Sequence, residues 1–215
     1  MLAYKEDING YRDRMDNSIA LYAFYKFWAK TSLFVQYAYA GIDYDERTIT
    51  DSTENAVYAG VTWEVTAKTR GTFKLGYMDK DFESAGVEDQ DGFSFELQTQ
   101  HNLTAKRSVQ VNAFRKFNES DFIFASSYYA TGINVGIRQK FREKWSGTFV
   151  ASYEQDDYNG INRTDDYFSI GPALRYEPRK WLIFDLAYYW NMRDSNLTFY
   201  DYTSNEIFLR ATISM

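Results

Sequence analysis

Cysteine is absent from this 215-residue chain, histidine occurs once and proline twice. Without cysteine there are no disulfides and no thiolate metal sites, and one histidine cannot build an imidazole cluster. No apolar run reaches 18 residues, so no transmembrane helix is encoded. That absence leaves a transmembrane β-barrel open, because its strands are only half apolar and escape hydropathy windows. A basic excess is missing too: the net charge of −6 argues against a nucleic-acid-binding surface, which needs a basic stripe. The opening "MLAYKEDINGYRDRM" has no apolar segment of signal-peptide type, as expected of a mature or partial form of an exported protein.

Aromatic residues are abundant instead. Nineteen Tyr, 17 Phe and 5 Trp make 19% of the chain, too many for a disordered segment. Asn, Asp, Ser, Thr and Gly gather between the aromatic stretches, which reads as many strands separated by turns. One small basic turn returns on a beat: "WAKTSLF", "TAKTRGTF", "TAKRSVQV", "REKWSGTF" and "PRKWLIF" carry Lys30, Lys68, Lys106, Lys144 and Lys180, spaced by 38, 38, 38 and 36 residues. Two segments with period-2 alternation flank each lysine, giving strands at about 17–28, 32–43, 55–65, 70–79, 91–100, 107–117, 127–141, 145–155, 165–177, 180–192 and 204–215. The unit is a β-hairpin plus one longer loop, used five times and closed by a last strand. Gly171 and Pro172 interrupt one strand and point to a bulge or bend there.

Each strand has an apolar face and a small, polar or charged one. Ile133, Val135 and Ile137 oppose Asn134, Gly136 and Arg138; Ile207, Leu209, Ala211 and Ile213 oppose Glu206, Arg210 and Thr212. A soluble barrel turns the apolar face inward, whereas an outer-membrane barrel turns it to lipid around a polar lumen. Three features favour the membrane version. The segments run ten to fifteen residues, where a spanning strand needs about 9–11. Trp28, Trp63, Trp145 and Trp181 lie beside turn lysines, and Tyr39, Tyr44, Tyr77, Tyr153, Tyr158, Tyr188 and Tyr189 lie at the opposite strand ends, forming two girdles where amphipathic rings prefer to sit. Short connections alternate with long ones, as periplasmic turns alternate with outer loops. On that reading Lys26, Gln36, Lys74, Glu96, Gln98, Gln110, Asn112, Arg138, Arg175, Asp185 and Arg210 line the lumen, either as a channel wall or as a plug of ion pairs.

Charge follows the same sidedness. The short turns are basic, while "DYDERTITDSTE", "DKDFESAGVEDQD" and "EQDDYNGINRTDD" are acidic. Most such carboxylates serve solvation; a sharper reading has them bind divalent cations shared with lipopolysaccharide, although no complete calcium-loop spacing occurs. Nothing points to catalysis. His101 lies beside a turn with no converging serine and acid, Ser94 being half a strand away, and the loop pairs Asp156/Asp157 and Asp165/Asp166 are too generic to assign.

With the repeated "TAKT" turn, the Tyr-rich strands and loops such as "GYMDKDFES", the chain resembles a family of outer-membrane β-barrel porins. Members of that family include proteins encoded in exopolysaccharide-biosynthesis operons. The ending "NEIFLRATISM" looks like the C-terminal insertion signal of such barrels, except that it stops at Met215 rather than Phe or Trp. The resemblance implies passage or secretion across the outer membrane and supplies no catalytic residue.

The expectation is an all-β, up-and-down antiparallel transmembrane barrel of about 11–12 strands in the bacterial outer membrane. Residues 1–16 form an outer loop and the stub of a preceding strand, and 17–215 form the barrel, either whole or as the C-terminal part of a larger one. The function expected is a passive, non-enzymatic channel for carbohydrate or exopolysaccharide. Its alternatives are a closed barrel serving as anchor or assembly component, and a soluble ligand-binding barrel. No cofactor is expected; the expected partners are outer-membrane lipid and lipopolysaccharide, with a polysaccharide or export components, and no nucleic acid.

Overall fold

The computed structural model describes residues 13–45, 51–66, 68–120, 125 and 127–214. One antiparallel sheet holds eleven strands: β1 (Arg14–Trp28), β2 (Thr31–Tyr44), β3 (Ser52–Thr66), β4 (Thr69–Phe82), β5 (Gln90–Thr104), β6 (Arg107–Glu119), β7 (Ser127–Arg142), β8 (Trp145–Tyr158), β9 (Thr164–Arg179), β10 (Leu182–Ser195) and β11 (Tyr202–Ile213). They pair in sequence order, and among the described residues the only other element is a 3₁₀ turn at Thr198–Tyr200. Among the described residues no helix is long and apolar enough to cross a membrane. The stub expected over 1–16 lies, as far as residue 12, outside the described residues, as does Met215.

Why the lysine turn recurs is visible in its backbone. Each of the five lysine turns puts two residues between its strands. Two-residue hairpin turns of the primed types need positive φ, and no described non-glycine residue has it. A register shift beside each turn compensates: at Lys26/Trp28, Trp63/Thr66, Asn102/Thr104, Lys140/Arg142 and Leu182/Phe184. In the two "TAK" turns the Thr hydroxyl accepts the lysine N–H, Thr66 from Lys68 and Thr104 from Lys106, each at 3.1 Å. The turn carbonyl then accepts a backbone N–H from the next hairpin: Glu64 to Lys30 at 2.8 Å, Asn102 to Lys68 at 2.7 Å, Lys140 to Lys106 at 2.7 Å and Glu177 to Lys144 at 2.8 Å. In the fifth turn Trp181, not Lys180, takes that place, receiving Ser214 N–H at 2.9 Å. The repeat therefore stitches each hairpin to its successor.

The loop end uses aspartate for the same purpose. Asp51, Asp89 and Asp201 side chains accept the N–H of Tyr44, Phe82 and Ser195 at 2.7, 2.8 and 2.8 Å. Gly160 takes a left-handed φ of 75° between β8 and β9. The Gly171–Pro172 interruption brings no bulge. Register with β8 is unbroken through both residues, and β9 rejoins β10 in the same register at Ile170. Proline removes one N–H from the ladder without displacing the chain. Gly171 has a steric role, since a Cβ there would clash with Tyr188 and Tyr189 of β10.

The sheet curls with its mixed polar face inside. Tyr44 on β2 donates to Glu119 on β6 at 3.0 Å. In a flat sheet four strand spacings would separate them by about 19 Å. The apolar face is therefore outside: Ile19, Leu21, Val35, Val57, Leu75, Ile133, Ile170, Leu186 and Leu209 are all exposed, Leu209 at 79%, while Lys80, Ser94 and Asp165 have no exposed surface. Water-soluble proteins show the opposite arrangement. A soluble barrel with an apolar interior is thereby excluded, and the outside suits hydrocarbon.

β1 and β11 are the sheet's edges. Eleven antiparallel strands make both edges run the same way, so direct closure between them would be parallel. The pairing itself is testable because the chain has no native cysteine. Ala38 and Ala56 face each other across β2 and β3. Ala38→Cys with Ala56→Cys should form a disulfide on mild oxidation, read on non-reducing gels, whereas Ala38→Cys with Val57→Cys, on opposite faces, should not.

Candidate functional site

The inner face divides into three regions along and around the sheet. At mid-height on β2–β5, Lys74 bonds Glu96 at 2.9 Å and donates to Gln36 at 3.4 Å, with its ammonium 4.3 Å from the Tyr58 ring centroid. Gly76 makes room for that tyrosine, because a Cβ there would strike the Tyr58 ring and the Val57 carbonyl. On β9–β11, Arg175 holds Asp185 through two hydrogen bonds of 2.7 and 3.2 Å, and Arg210 is the register partner of Asp185 on β11. Lys26 sits opposite Ser32 on the edge strand, exposed to solvent.

Toward the lysine turns, the face opens into adjoining cavities. One of about 580 Å³ is lined by Arg70, Thr72, Gln98, Gln100, Gln110 and Asn112, among others. A second, of about 410 Å³, shares Gln100, Gln110 and Asn112 and adds Asn134 and Arg138. A third, of about 520 Å³, shares Arg138 and reaches Lys68, Lys106, Arg107 and Lys140. The structure thus gathers Gln98, Gln110, Asn112 and Arg138 around one connected polar space.

Toward the loops the inner face of β2–β5 is packed shut by residues of the opposite parity on β6 and β7. The β5–β6 ladder ends at Phe95 opposite Arg115, although both strands continue. The freed end of β6 brings Phe117 onto Ala56, Tyr58 and Met78, with Tyr129 packed against it at 4.3 Å between ring centroids. Ser94 seals the split, donating to the Arg115 carbonyl at 2.6 Å and meeting the Tyr58 hydroxyl at 3.2 Å. Lys80, fully buried, bridges Glu54 at 2.8 Å and Glu119, and Glu119 also accepts from Tyr44, which Arg14 bonds at 3.0 Å. On β8–β10 the buried Asp165 receives Arg163 at 2.8 Å, Arg193 and the Ser195 hydroxyl. Arg163 lies 3.9 Å from the Tyr200 ring centroid, so the 3₁₀ turn folds over this cluster. Burial alone would lower the pKa of the Arg163 guanidinium, but its bonds to Asp165 and the neighbouring Tyr158, Asp165 and Tyr200 raise it above the ordinary value. The pair stays ionic.

Several of these residues escape the sequence reading. Phe34, Ile42, Tyr58 and Met78 share the inner parity of Gln36 and Lys74 and are buried. Phe24 pairs with Phe34 and Phe208 lies beside Arg210, so aromatic rings also occupy the inner face near both edges. Large apolar side chains on that parity were the available signal. Among the girdle residues, Trp28 and Trp181 are exposed, Trp145 stacks on Tyr176 at 4.3 Å, and Trp63 borders the first cavity. Tyr77 donates to Asp91, Tyr153 to Asp166 at 2.6 Å and Tyr188 to Asn205 at 2.6 Å; Tyr39 is exposed. Among the described residues no three His, Cys, Asp or Glu side chains converge as metal ligands would. The sole histidine, His101, shares a 2.7 Å hydrogen bond with Thr69.

The chain belongs to the family described as "Putative beta-barrel porin 2", whose model matches residues 7–215. It is an outer-membrane β-barrel protein. Among solved structures it is similar to the CymD monoaromatic hydrocarbon channel (12% identity, TM-score 0.44, covering 96% of this chain and 76% of that one). It is also similar to the KdgM porin in complex with disordered oligogalacturonate (12%, 0.35, 94% and 95%) and to a Pseudomonas aeruginosa FadL homologue (12%, 0.41, 84% and 61%). No curated protein matches the chain.

The Lys80 cluster gives a stability prediction. Lys80→Met leaves Glu54 and Glu119 facing each other without their cation, and should destabilise the fold by about 3 kcal/mol. Urea unfolding in lipid vesicles, followed by tryptophan fluorescence, should show the midpoint fall; Lys80→Arg should retain most of it.

Proposed function

We propose that this member of the porin family walls a passive, non-enzymatic channel whose conduit is the inner polar face. The observation that carries the proposal is the connected series of cavities bounded by amide, hydroxyl and cationic side chains, inside a sheet whose outside is apolar. These polar groups are exposed or half-buried on the inner face, as groups that meet water and solute in a lumen are, whereas a sealed interior would pair them with one another. Short connections mark the periplasmic side of bacterial barrels, so the lysine turns face the periplasm and the acidic loops the exterior. The outward face meets lipid, and the acidic loops meet the lipopolysaccharide layer.

The ladder of Gln98, Gln100, Gln110, Asn112 and Asn134 offers donors and acceptors in the pattern that hydroxyl-rich solutes need. This supports carbohydrate, including exopolysaccharide, as the class of cargo. A second reading has its own support. Phe117, Tyr129 and the Lys80 cluster close the loop end over β2–β7, as in a barrel that serves as an anchor or assembly component.

Planar-bilayer conductance separates the two. The channel reading expects discrete openings by the folded wild-type chain, and Phe117→Ala with Tyr129→Ala should raise the conductance by roughly twofold through widening of the constriction. Folded protein that never opens, with or without those truncations, supports the anchor reading and contradicts the channel.

A further inference from the structure

The cations of the inner face differ in their partners. Several are held in ion pairs: Lys74 by Glu96 at mid-height, Lys80 by Glu54 and Glu119 and Arg163 and Arg193 by Asp165 at the loop end, and Arg175 by Asp185 on β9–β10. Such pairs hold strands together and have no charge left for a ligand. Another group lines the cavities toward the lysine turns: Lys30, Lys68, Arg70, Lys106, Arg107, Arg138 and Lys140. Among the described residues none of these seven forms an ion pair. Arg70 and Arg107 donate to neutral amides, Gln100 at 2.8 Å and Gln139 at 2.7 Å. Among the described residues, the lining of these cavities includes one carboxylate, Glu64.

The placement matters as much as the number. Solvated turn lysines are ordinary, and basic residues at a membrane surface meet lipid phosphates. Arg138 is different, because it stands on the inner face of β7, opposite Ser108 and in line with Asn134. It joins the cationic cavity to the amide-lined one through shared walls. A solute there meets uncompensated positive charge and a run of amides within one continuous space.

We infer that this half of the inner face is a binding path for acidic oligosaccharides, extended solutes carrying repeated carboxylates among hydroxyls. Guanidinium and ammonium groups take the carboxylates, and Gln100, Gln110 and Asn112 take the hydroxyls. The inference deepens the channel reading, resting on it for the solute's route but not for binding. The cluster also gives direction to entry: uncompensated charge at a low-dielectric mouth raises the local concentration of the opposite ion.

Isothermal titration of the full folded chain in detergent micelles tests the inference without requiring conduction. The probes are a linear uronic acid trimer, neutral maltotriose and inorganic phosphate. Saturable binding of the trimer is expected, at least about tenfold tighter than either maltotriose or phosphate, and weakening as sodium chloride is raised. Arg138→Gln with Lys140→Gln should weaken the trimer by about tenfold, with folding verified by heat-modifiable gel migration. If that pair does not fold, Lys68→Gln with Lys106→Gln, on the turns, is the replacement with the same expectation. Equal affinity for maltotriose, equal affinity for phosphate, absence of trimer binding, or variants that bind like the wild type would each overturn the inference. Trimer binding by a chain that never conducts would leave this inference standing and remove the channel. Conduction without trimer binding would do the reverse.

Discussion

Backbone hydrogen bonding in hydrocarbon is the constraint from which the rest of this structure follows. Lipid offers no partner to an N–H or C=O, and each unsatisfied group costs several kcal/mol, so the strands must satisfy one another. Ten consecutive antiparallel ladders between eleven strands do so. At the turns, where ladders ordinarily fray, the carbonyls of Lys30, Lys68, Lys106, Lys144 and Trp181 accept from the next hairpin. The period near 38 residues is the length of chain needed to cross and return while presenting that carbonyl in the same place. The same constraint bears on the edges: β1 and β11 run in one direction, so an antiparallel neighbour for either must run in the other.

Once the backbone is satisfied, side chains are free to sort by face. The outside keeps exposed aliphatic and aromatic residues, which lipid stabilises. The inside varies along its length. Its loop end is filled by Phe117, Tyr129, Tyr58 and Met78 and by paired charges centred on Lys80 and Asp165. Its turn end keeps amides and unpaired cations around open space. A buried ion pair contributes less net stability than its Coulomb term suggests, because both ions are desolvated; removing one partner, however, is costly. The Lys80 cluster therefore fixes how the β6 end docks more than it adds to overall stability.

Much of this was legible in the sequence, for physical reasons. Alternation has a period of two wherever one face meets lipid, so the eleven strands and most of their outward residues could be read from parity, although Phe117 and Tyr129 share the outward parity of β6 and β7 and pack inside. The lysine beat marked the turns. What parity could not show is where distant strands meet. Glu119 reaches Lys80 and Tyr44 only because β5 and β6 part above Phe95, and no local pattern around Glu119 announces that. Phe34, Tyr58 and Met78 were readable as large apolar residues on the inner parity, but an expected polar lumen draws attention to Gln36 and Lys74 beside them. Pro172 misled in the other direction, since a missing N–H interrupts a ladder without requiring a bulge.

The central claim is that the apolar face meets lipid while the inner face meets water, and adjacent residues of one strand test it most directly. Ile133 and Asn134 are consecutive on β7 and lie on opposite faces. In the cysteine-free background, nitroxide labels at Ile133→Cys and Asn134→Cys in lipid vesicles can be probed with oxygen, which partitions into lipid, and with a water-soluble nickel chelate. The account predicts that oxygen dominates relaxation at 133 and the chelate at 134. Equal accessibility at the two positions, or the reverse order, would contradict it.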